Sequence, residues 1–335
     1  MNPLSSVQSK RPSAKTGGRL IKLQNESLEL GVIPDLGGMT ALFNLKGRQN
    51  VLKSDSTLWD APPSPRRKFG PLTRWRAYNG HIVWLGPQSE WWTQQTTSVS
   101  RREKRAVWPP DPYINQGYFK ITEKSGDSII MAGPPSEFSG VELTKQVKIT
   151  GANKVQFSVK AKNIRDTSVS WDLWLNTRVD GYARCYVPLL DSTKVRFDGR
   201  ETGELDMSTF LHDNGYFYIE PLPPSNGKSA RWAKAFIPAG KGFMAAFTSS
   251  QVLIIRFKKH APQKIHPEHS LVEIYNYTNQ NRDDALTELE YHAPYLTLDA
   301  GESMETSEEW ELYPFDAEVN HNNCIDFLRR HFYLV

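Results

Sequence analysis

Val147-Lys148-Ile149-Thr150-Gly151-Ala152-Asn153-Lys154-Val155-Gln156-Phe157-Ser158-Val159 alternates apolar and polar residues on both sides of a short break that carries Gly151 and Asn153. A period of two marks strands with one face on a core, and a break rich in turn formers folds such strands back on each other as an antiparallel hairpin. The pattern recurs outward from there. Upstream lie Val141-Glu142-Leu143 and Leu28-Glu29-Leu30-Gly31-Val32, the latter closed by the tight turn Pro34-Asp35-Leu36-Gly37-Gly38. Downstream come Phe243 to Phe247, Val252 to Phe257, Leu271 to Tyr277, Thr287 to Leu298 and Ser303 to Leu312, with turns at Pro238 to Gly242 and Asp299 to Glu302. Helical periodicity is confined to Ala317 to Phe332, where Val319, Ile325, Phe327, Leu328 and Phe332 share one side. Many short strands, few helices and frequent Pro and Gly predict an all-β fold, a large antiparallel β-sandwich with a short C-terminal helix.

Nothing between Arg19 and Phe315 divides the chain, so residues 19–335 of the 335 are expected to form one domain. Met1 to Gly18 is polar, with Ser, Lys and Pro, and is expected to be a disordered leader. It lacks the apolar stretch of a signal peptide, which fits a chain trimmed of one and hence a periplasmic or secreted location, with a cytoplasmic one the alternative. The loop Asp60 to Arg76, with Pro62, Pro63, Pro65 and Pro71, reads as an insertion over one end of the sandwich. A formal charge of +4 with 23% charged residues gives no field that would recruit nucleic acid, and Arg101-Arg102-Glu103-Lys104-Arg105 stands alone as a solvated loop. The absence of any run of 18 apolar residues argues against a membrane partner. Cys185 and Cys324 are the only cysteines, so no disulfide framework or metal-thiolate pattern is written here. There is no Gly-rich phosphate loop, no nucleophile elbow and no His-Glu-x-x-His pair. His266 and His269 have a spacing that suits a helix, but Pro267 interrupts it; no metal and no cofactor is expected.

The chemistry concentrates in Tyr78-Asn79-Gly80-His81-Ile82-Val83-Trp84-Leu85-Gly86-Pro87-Gln88-Ser89-Glu90-Trp91-Trp92. Three tryptophans beside a histidine, a carboxylate and two amides suit a sugar, whose C–H face stacks on indole while its hydroxyls need two-way hydrogen-bond partners. The alternative is a buried aromatic corner with a satisfied histidine. Ten tryptophans in the chain favour a ligand site, with Asn79, His81, Trp84, Gln88, Glu90 and Trp91 as candidates. Trp171 to Val179 has a core face of Trp171, Leu173, Leu175, Thr177 and Val179, and an opposite face of Asp172, Trp174, Asn176 and Arg178. That second face is either a ligand surface or a solvent face carrying an Asp172–Arg178 pair. Glu288, Glu290 and His292 share one side of their strand, so in a cleft one carboxyl would be pushed toward a raised pKa and become a candidate base. Glu273 is expected on the neighbouring strand, and Trp108-Pro109-Pro110-Asp111-Pro112 offers Trp108 and Asp111 from a proline-stiffened extended loop.

Leu28-x-Leu30-x-Val32-Ile33-Pro34-Asp35-Leu36-Gly37-Gly38, Asn79-Gly80-His81, Gly86 to Trp91, Trp108 to Pro112, and Glu288 through Gly301-Glu302 to Trp310 together resemble a bacterial family of unassigned function. That family lies within the galactose-mutarotase-like superfamily of aldose 1-epimerases and their relatives. The resemblance implies a twisted antiparallel sandwich with a sugar cleft on a concave sheet, a late glutamate as base and histidines as acids. It carries the glutamate to Glu290, with Glu288 second, and the first histidine to His81. The second mutarotase histidine, which follows an asparagine, is replaced here by Thr177 and Arg178 after Asn176.

Three readings follow. The first is an aldose epimerase or mutarotase acting on a mono- or oligosaccharide, with Glu290 as base, His81 as acid, Arg178 holding a hydroxyl or carboxylate, and Trp84, Trp91 or Trp174 stacking on the ring. The second is a carbohydrate-binding module that keeps the cleft without the acid. The third is a lyase or hydrolase on acidic polysaccharide, with Arg178 and Lys234 neutralising a uronate.

Overall fold

The computed structural model describes residues 19–61, 68–189, 191–198, 210–225 and 227–332. The expected leader, Met1 to Gly18, and the prolines Pro62, Pro63 and Pro65 lie outside the described residues. Two antiparallel sheets, each ten-stranded among the described residues, form a sandwich. The first runs from edge to edge as β1 (Ile21–Gln24), β2 (Leu28–Ile33), β3 (Met39–Leu45), β4 (His81–Gly86), β9 (Val169–Asp180), β18 (Leu286–His292), β17 (Val272–Asn279), β14 (Ala230–Ile237) and β11 (Arg196–Asp198), with β19 (Leu296–Leu298) pairing the start of β9. The second runs β12 (Phe210–Asp213), β13 (Tyr216–Ile219), β10 (Arg184–Pro188), β15 (Phe243–Phe247), β16 (Gln251–Phe257), β20 (Ser303–Pro314), β8 (Lys154–Asn163), β7 (Val141–Ile149), β6 (Ser128–Ala132) and β5 (Lys120–Lys124).

The β7–β8 hairpin has the register that the alternation predicts, with Val147 opposite Phe157 and Ile149 opposite Val155. Its apolar residues, with Leu30, Phe43, Val83, Leu173, Leu175, Leu289 and Trp310, fill the layer between the sheets. At the Pro34 to Gly38 turn, Gly37 has φ +69° and a Cβ there would lie 2.6 Å from the Asn115 carbonyl oxygen, so both conformation and space exclude a side chain.

Two boundaries differ from the sequence expectation. Thr287 to Leu298 is not one strand, because Ala293 and Pro294 separate β18 from β19 where proline cannot donate to a ladder. The C-terminal helix starts only at His321 and runs to His331, because the Asn320 side chain accepts from the Asn323 N–H and caps it. Its buried Cys324, Ile325 and Leu328 pack on Tyr186, Phe243, Phe247 and Ile254, on the side of the second sheet away from the sandwich interior. Two further helices are short, α1 (Val99–Glu103) and α2 (Pro112–Gln116).

The interior also holds ionisable groups. Glu308 is buried, accepts the Trp310 indole N–H at 2.8 Å, and has its pKa pushed up to about 8 by burial. Between the unfolded and folded pKa the folded chain therefore holds a proton that the unfolded chain has released, so this carboxyl's contribution to stability is lost as pH rises toward 8. Glu308→Gln removes that loss. Its stability relative to the parent, from urea unfolding, is expected to improve by about 2–5 kcal/mol between about pH 5 and about pH 9; an unchanged difference across that range contradicts the assignment.

Candidate functional site

Alternation on six adjacent strands of the first sheet puts three rows of side chains on its outer face. Trp84 on β4 pairs with Trp174 on β9, and Trp174 pairs with His292 on β18. The next row is Ile82, Asn176, Glu290, Glu273 and Phe236, and the next is Arg178, Glu288, Tyr275, Lys234 and Asp198. Apart from Ile82, Asn176 and His292, which lie below, these side chains floor a cleft of about 310 Å³. Trp75, Gln88, Trp108 and Glu268 wall it from the loops, and Trp232 closes the end on β14.

The register sets two carboxylates, Glu273 and Glu290, directly opposite each other, an arrangement that like charge destabilises. The Lys234 ammonium resolves it, forming an ion pair with Glu273 Oε2 at 2.7 Å and donating to Glu290 Oε2 at 2.9 Å. Asn176 Nδ2 donates to both Glu288 Oε2 at 3.1 Å and Glu290 Oε1 at 3.3 Å, so one amide ties the two same-strand carboxyls together. Arg178 Nε donates to Glu288 Oε1 at 2.7 Å, and its guanidinium lies over the Trp84 ring at 5.4 Å and the Trp75 ring at 5.6 Å.

These contacts push the carboxyls in opposite directions. Burial, with the negative Glu273 and Glu288 beside it, raises Glu290 to about 8 against the pull of Lys234. Burial also acts to raise Glu273 and Glu288, but Lys234 and the two histidines outweigh it at Glu273, and Arg178 outweighs it at Glu288. Both are held below the usual carboxylate range. Burial likewise opposes charge on His292, yet Glu273 and Asp172 raise it to about 9. His269 is lowered by burial and then by His292, whose ring it stacks on at 3.9 Å. The floor is thus a closed network of alternating charge, with Lys234 and Glu288 keeping part of their side chains exposed at the cleft.

With this geometry in view, the chain can be placed. A profile for a domain family of unknown function, DUF4380, matches residues 19–313. The chain belongs to that family. No curated protein matches it in sequence. Solved structures similar to this DUF4380 chain include a galactose mutarotase-like protein from Lactobacillus casei, with TM-score 0.54, 10% identity and coverage of 88% of this chain and 100% of that one. Another galactose mutarotase-like protein, from Clostridium acetobutylicum, has TM-score 0.54 and 11% identity, covering 88% of this chain and 95% of that one. A TPR-domain containing protein from Parabacteroides distasonis has TM-score 0.53 and 15% identity, covering 90% of this chain but 48% of its own. At such identities the likeness establishes a galactose mutarotase-like sandwich and nothing finer.

Of the residues singled out from sequence, Trp84, Gln88, Trp108, Trp174, Arg178, Lys234, Glu273, Glu288 and Glu290 line this one cleft, with Asn176 beneath them. Five lie elsewhere. His81 sits opposite Thr177 on the core face, its Nδ1 2.8 Å from Thr177 Oγ1 and its ring edge-on to Phe157 and Trp310. Burial first, and Lys145 second, hold it well below its ordinary pKa, so it is neutral and turned away from the cleft. Trp91 is buried under the tryptophan cluster, donating to the Leu85 carbonyl. Glu90 accepts from the Tyr295 hydroxyl at 2.9 Å and the Gln94 amide at 2.6 Å. Asn79 takes a left-handed turn conformation, φ 61°, bridged to Ser54. Asp111 is not on an extended loop: it caps α2 by accepting the Tyr113 N–H, with Pro112 at the first helical position.

Sequence reasoning gave no ligand role to Trp75, Trp232 or Tyr275, and it set His269 aside. Alternation carried a signal for two of them, since Tyr275 shares a strand face with Glu273 and Trp232 shares one with Lys234. Because Lys234 is the cation that neutralises the buried, ionised Glu273 and hydrogen-bonds Glu290, Lys234→Met is expected to destabilise the protein by about 3–5 kcal/mol in urea unfolding at neutral pH. Adding Glu273→Gln should recover part of that loss; a double variant no better than the sum of the two singles would contradict the ion-pair assignment.

Proposed function

We propose that this protein is carbohydrate-active, binding a mono- or oligosaccharide in the cleft of the first sheet and exchanging its anomers by acid–base chemistry of the epimerase or mutarotase type. The observation that carries the reading is the Glu288–Glu290 pair, held by one Asn176 amide at the floor of a cleft walled by Trp75, Trp84 and Trp108. The indole walls suit the C–H face of a pyranose, and the carboxyls, Gln88 and Lys234 suit its hydroxyls. Ring opening needs one group to take the proton of the anomeric hydroxyl and another to protonate the ring oxygen. Two carboxyls in one network supply both, and they replace His81 in the acid role because His81 faces the core. A galactose mutarotase-like fold supports a sugar ligand by analogy.

A second reading, a non-catalytic sugar-binding protein, draws on the depth of Glu290, which is fully buried below Lys234. An acidic polysaccharide is less well served, since Arg178 and Lys234 are each already engaged by carboxylates. The discriminating experiment follows anomer exchange by NMR across a panel of aldoses, beside calorimetric binding. Glu290→Gln and Glu288→Gln are each expected to lower exchange by about a hundredfold or more while affinity stays within about tenfold. Trp84→Ala is expected to weaken binding first. Binding by the parent without exchange above the buffer rate overturns the epimerase reading and leaves the binding protein; no binding to any sugar overturns both.

A further inference from the structure

Beyond the carboxyl pair, at the end of the cleft floor, three side chains from three segments converge. Asp172 on β9 is fully buried; its Oδ1 accepts the Gly86 N–H at 3.0 Å, and its Oδ2 has no hydrogen-bond partner. His269, from the loop before β17, has Nδ1 at 2.8 Å from Glu273 Oε1, which holds the proton on Nδ1 and leaves Nε2 as the lone-pair atom. That Nε2 is buried and unpartnered. His292, at the end of β18 and fully buried, has Nε2 at 3.4 Å from the same Glu273 oxygen and Nδ1 at 3.5 Å from Asp172 Oδ2, and neither nitrogen makes a hydrogen bond. One ligand atom from each of Asp172, His269 and His292 lies within 4.8 Å of the other two.

We propose that Asp172, His269 and His292 form a binding site for one divalent first-row transition-metal ion, of the zinc class. The spacing argues for a shared ion rather than an ion pair. Charge-assisted N–H···O contacts close to about 2.7–2.9 Å. Two ligand atoms held about 2.1 Å from a common tetrahedral ion stand about 3.4 Å apart. The surroundings argue the same way. Ligating histidines commonly give their second ring nitrogen to a carboxylate, and here one carboxylate, Glu273, faces the second nitrogen of both rings while Gly86 fixes the spare oxygen of Asp172. Imidazole and carboxylate without thiolate suit zinc, iron or nickel more than calcium. Three protein ligands leave a position for a further one, and His269, which also lines the cleft, puts that position within reach of it. A second grouping, Glu273, Glu290 and His292, has comparable spacing. There the Lys234 ammonium already occupies the place between the carboxylates at 2.7 and 2.9 Å, so it is the Asp172 grouping that takes the ion. This site stands on its own geometry and does not depend on the sugar reading.

The test is calorimetric titration of the chelator-stripped full chain with ZnCl2, repeated with CoCl2 by visible absorption and with CaCl2. One equivalent of zinc is expected to bind, cobalt to develop ligand-field bands, and calcium to bind at least about a hundredfold more weakly. Asp172→Asn and His269→Gln should each lower zinc affinity about a hundredfold or more, and Glu273→Gln, which only orients the rings, about 10–100-fold. His266→Gln should leave affinity unchanged. Because Asp172 is fully buried, His269→Gln, at the more open cleft edge, is the deciding variant if Asp172→Asn fails to fold by circular dichroism. No stoichiometric zinc binding by the folded parent overturns the proposal, and so does a folded His269→Gln that binds zinc as tightly as the parent.

Discussion

The ammonium of Lys234 stands between two buried carboxylates that strand register places face to face, and the cleft depends on it. Without a cation there, Glu273 and Glu290 would repel across adjacent strands in a region of low dielectric. With it, the outer face of the first sheet can carry carboxylates, an amide, an arginine and histidines on strands whose inner face is mostly apolar. The consequence runs in both directions. Glu273, held ionised, becomes the anchor for His269 and His292, while Glu290, buried and beside two negative neighbours, retains its proton to higher pH than an ordinary glutamate.

Legibility in the sequence tracked how strictly each strand alternates. β9 could be read face by face, because Asp172, Trp174, Asn176 and Arg178 interleave with large apolar residues, and both faces lie where the alternation puts them. β4 could not, since Ile82, Val83, Trp84 and Leu85 are apolar at both parities and hide the phase. A shift of one residue in that phase is what separates a cleft histidine from the core histidine His81 is. Asp111 did carry its signal, an Asp before a Pro as in a capped helix start, but the run of prolines around it read as extended. Glu273 was expected on the strand beside Glu290, but their direct opposition could not be read, because it is set by the register between the two strands.

Sandwich architecture and cleft chemistry rest on different supports. The family and the fold follow from the whole chain, from the β7–β8 hairpin outward, and proteins only 10–15% identical share the fold. The functional reading rests on a handful of side chains on β9, β14, β17 and β18 and on the tryptophans above them. Those tryptophans do structural work as well: Trp84 meets Trp174 edge-on at 4.8 Å and Trp91 at 5.6 Å, so the wall offered to a ligand is also the roof of the charged floor.

The central claim is that this cleft holds a sugar, and crystals soaked with a panel of mono- and oligosaccharides test it most directly. The account predicts a pyranose ring against Trp84 or Trp108 with hydroxyls reaching Glu288 and Lys234. Density for a sugar only at other surfaces, or at none across the panel, would contradict it.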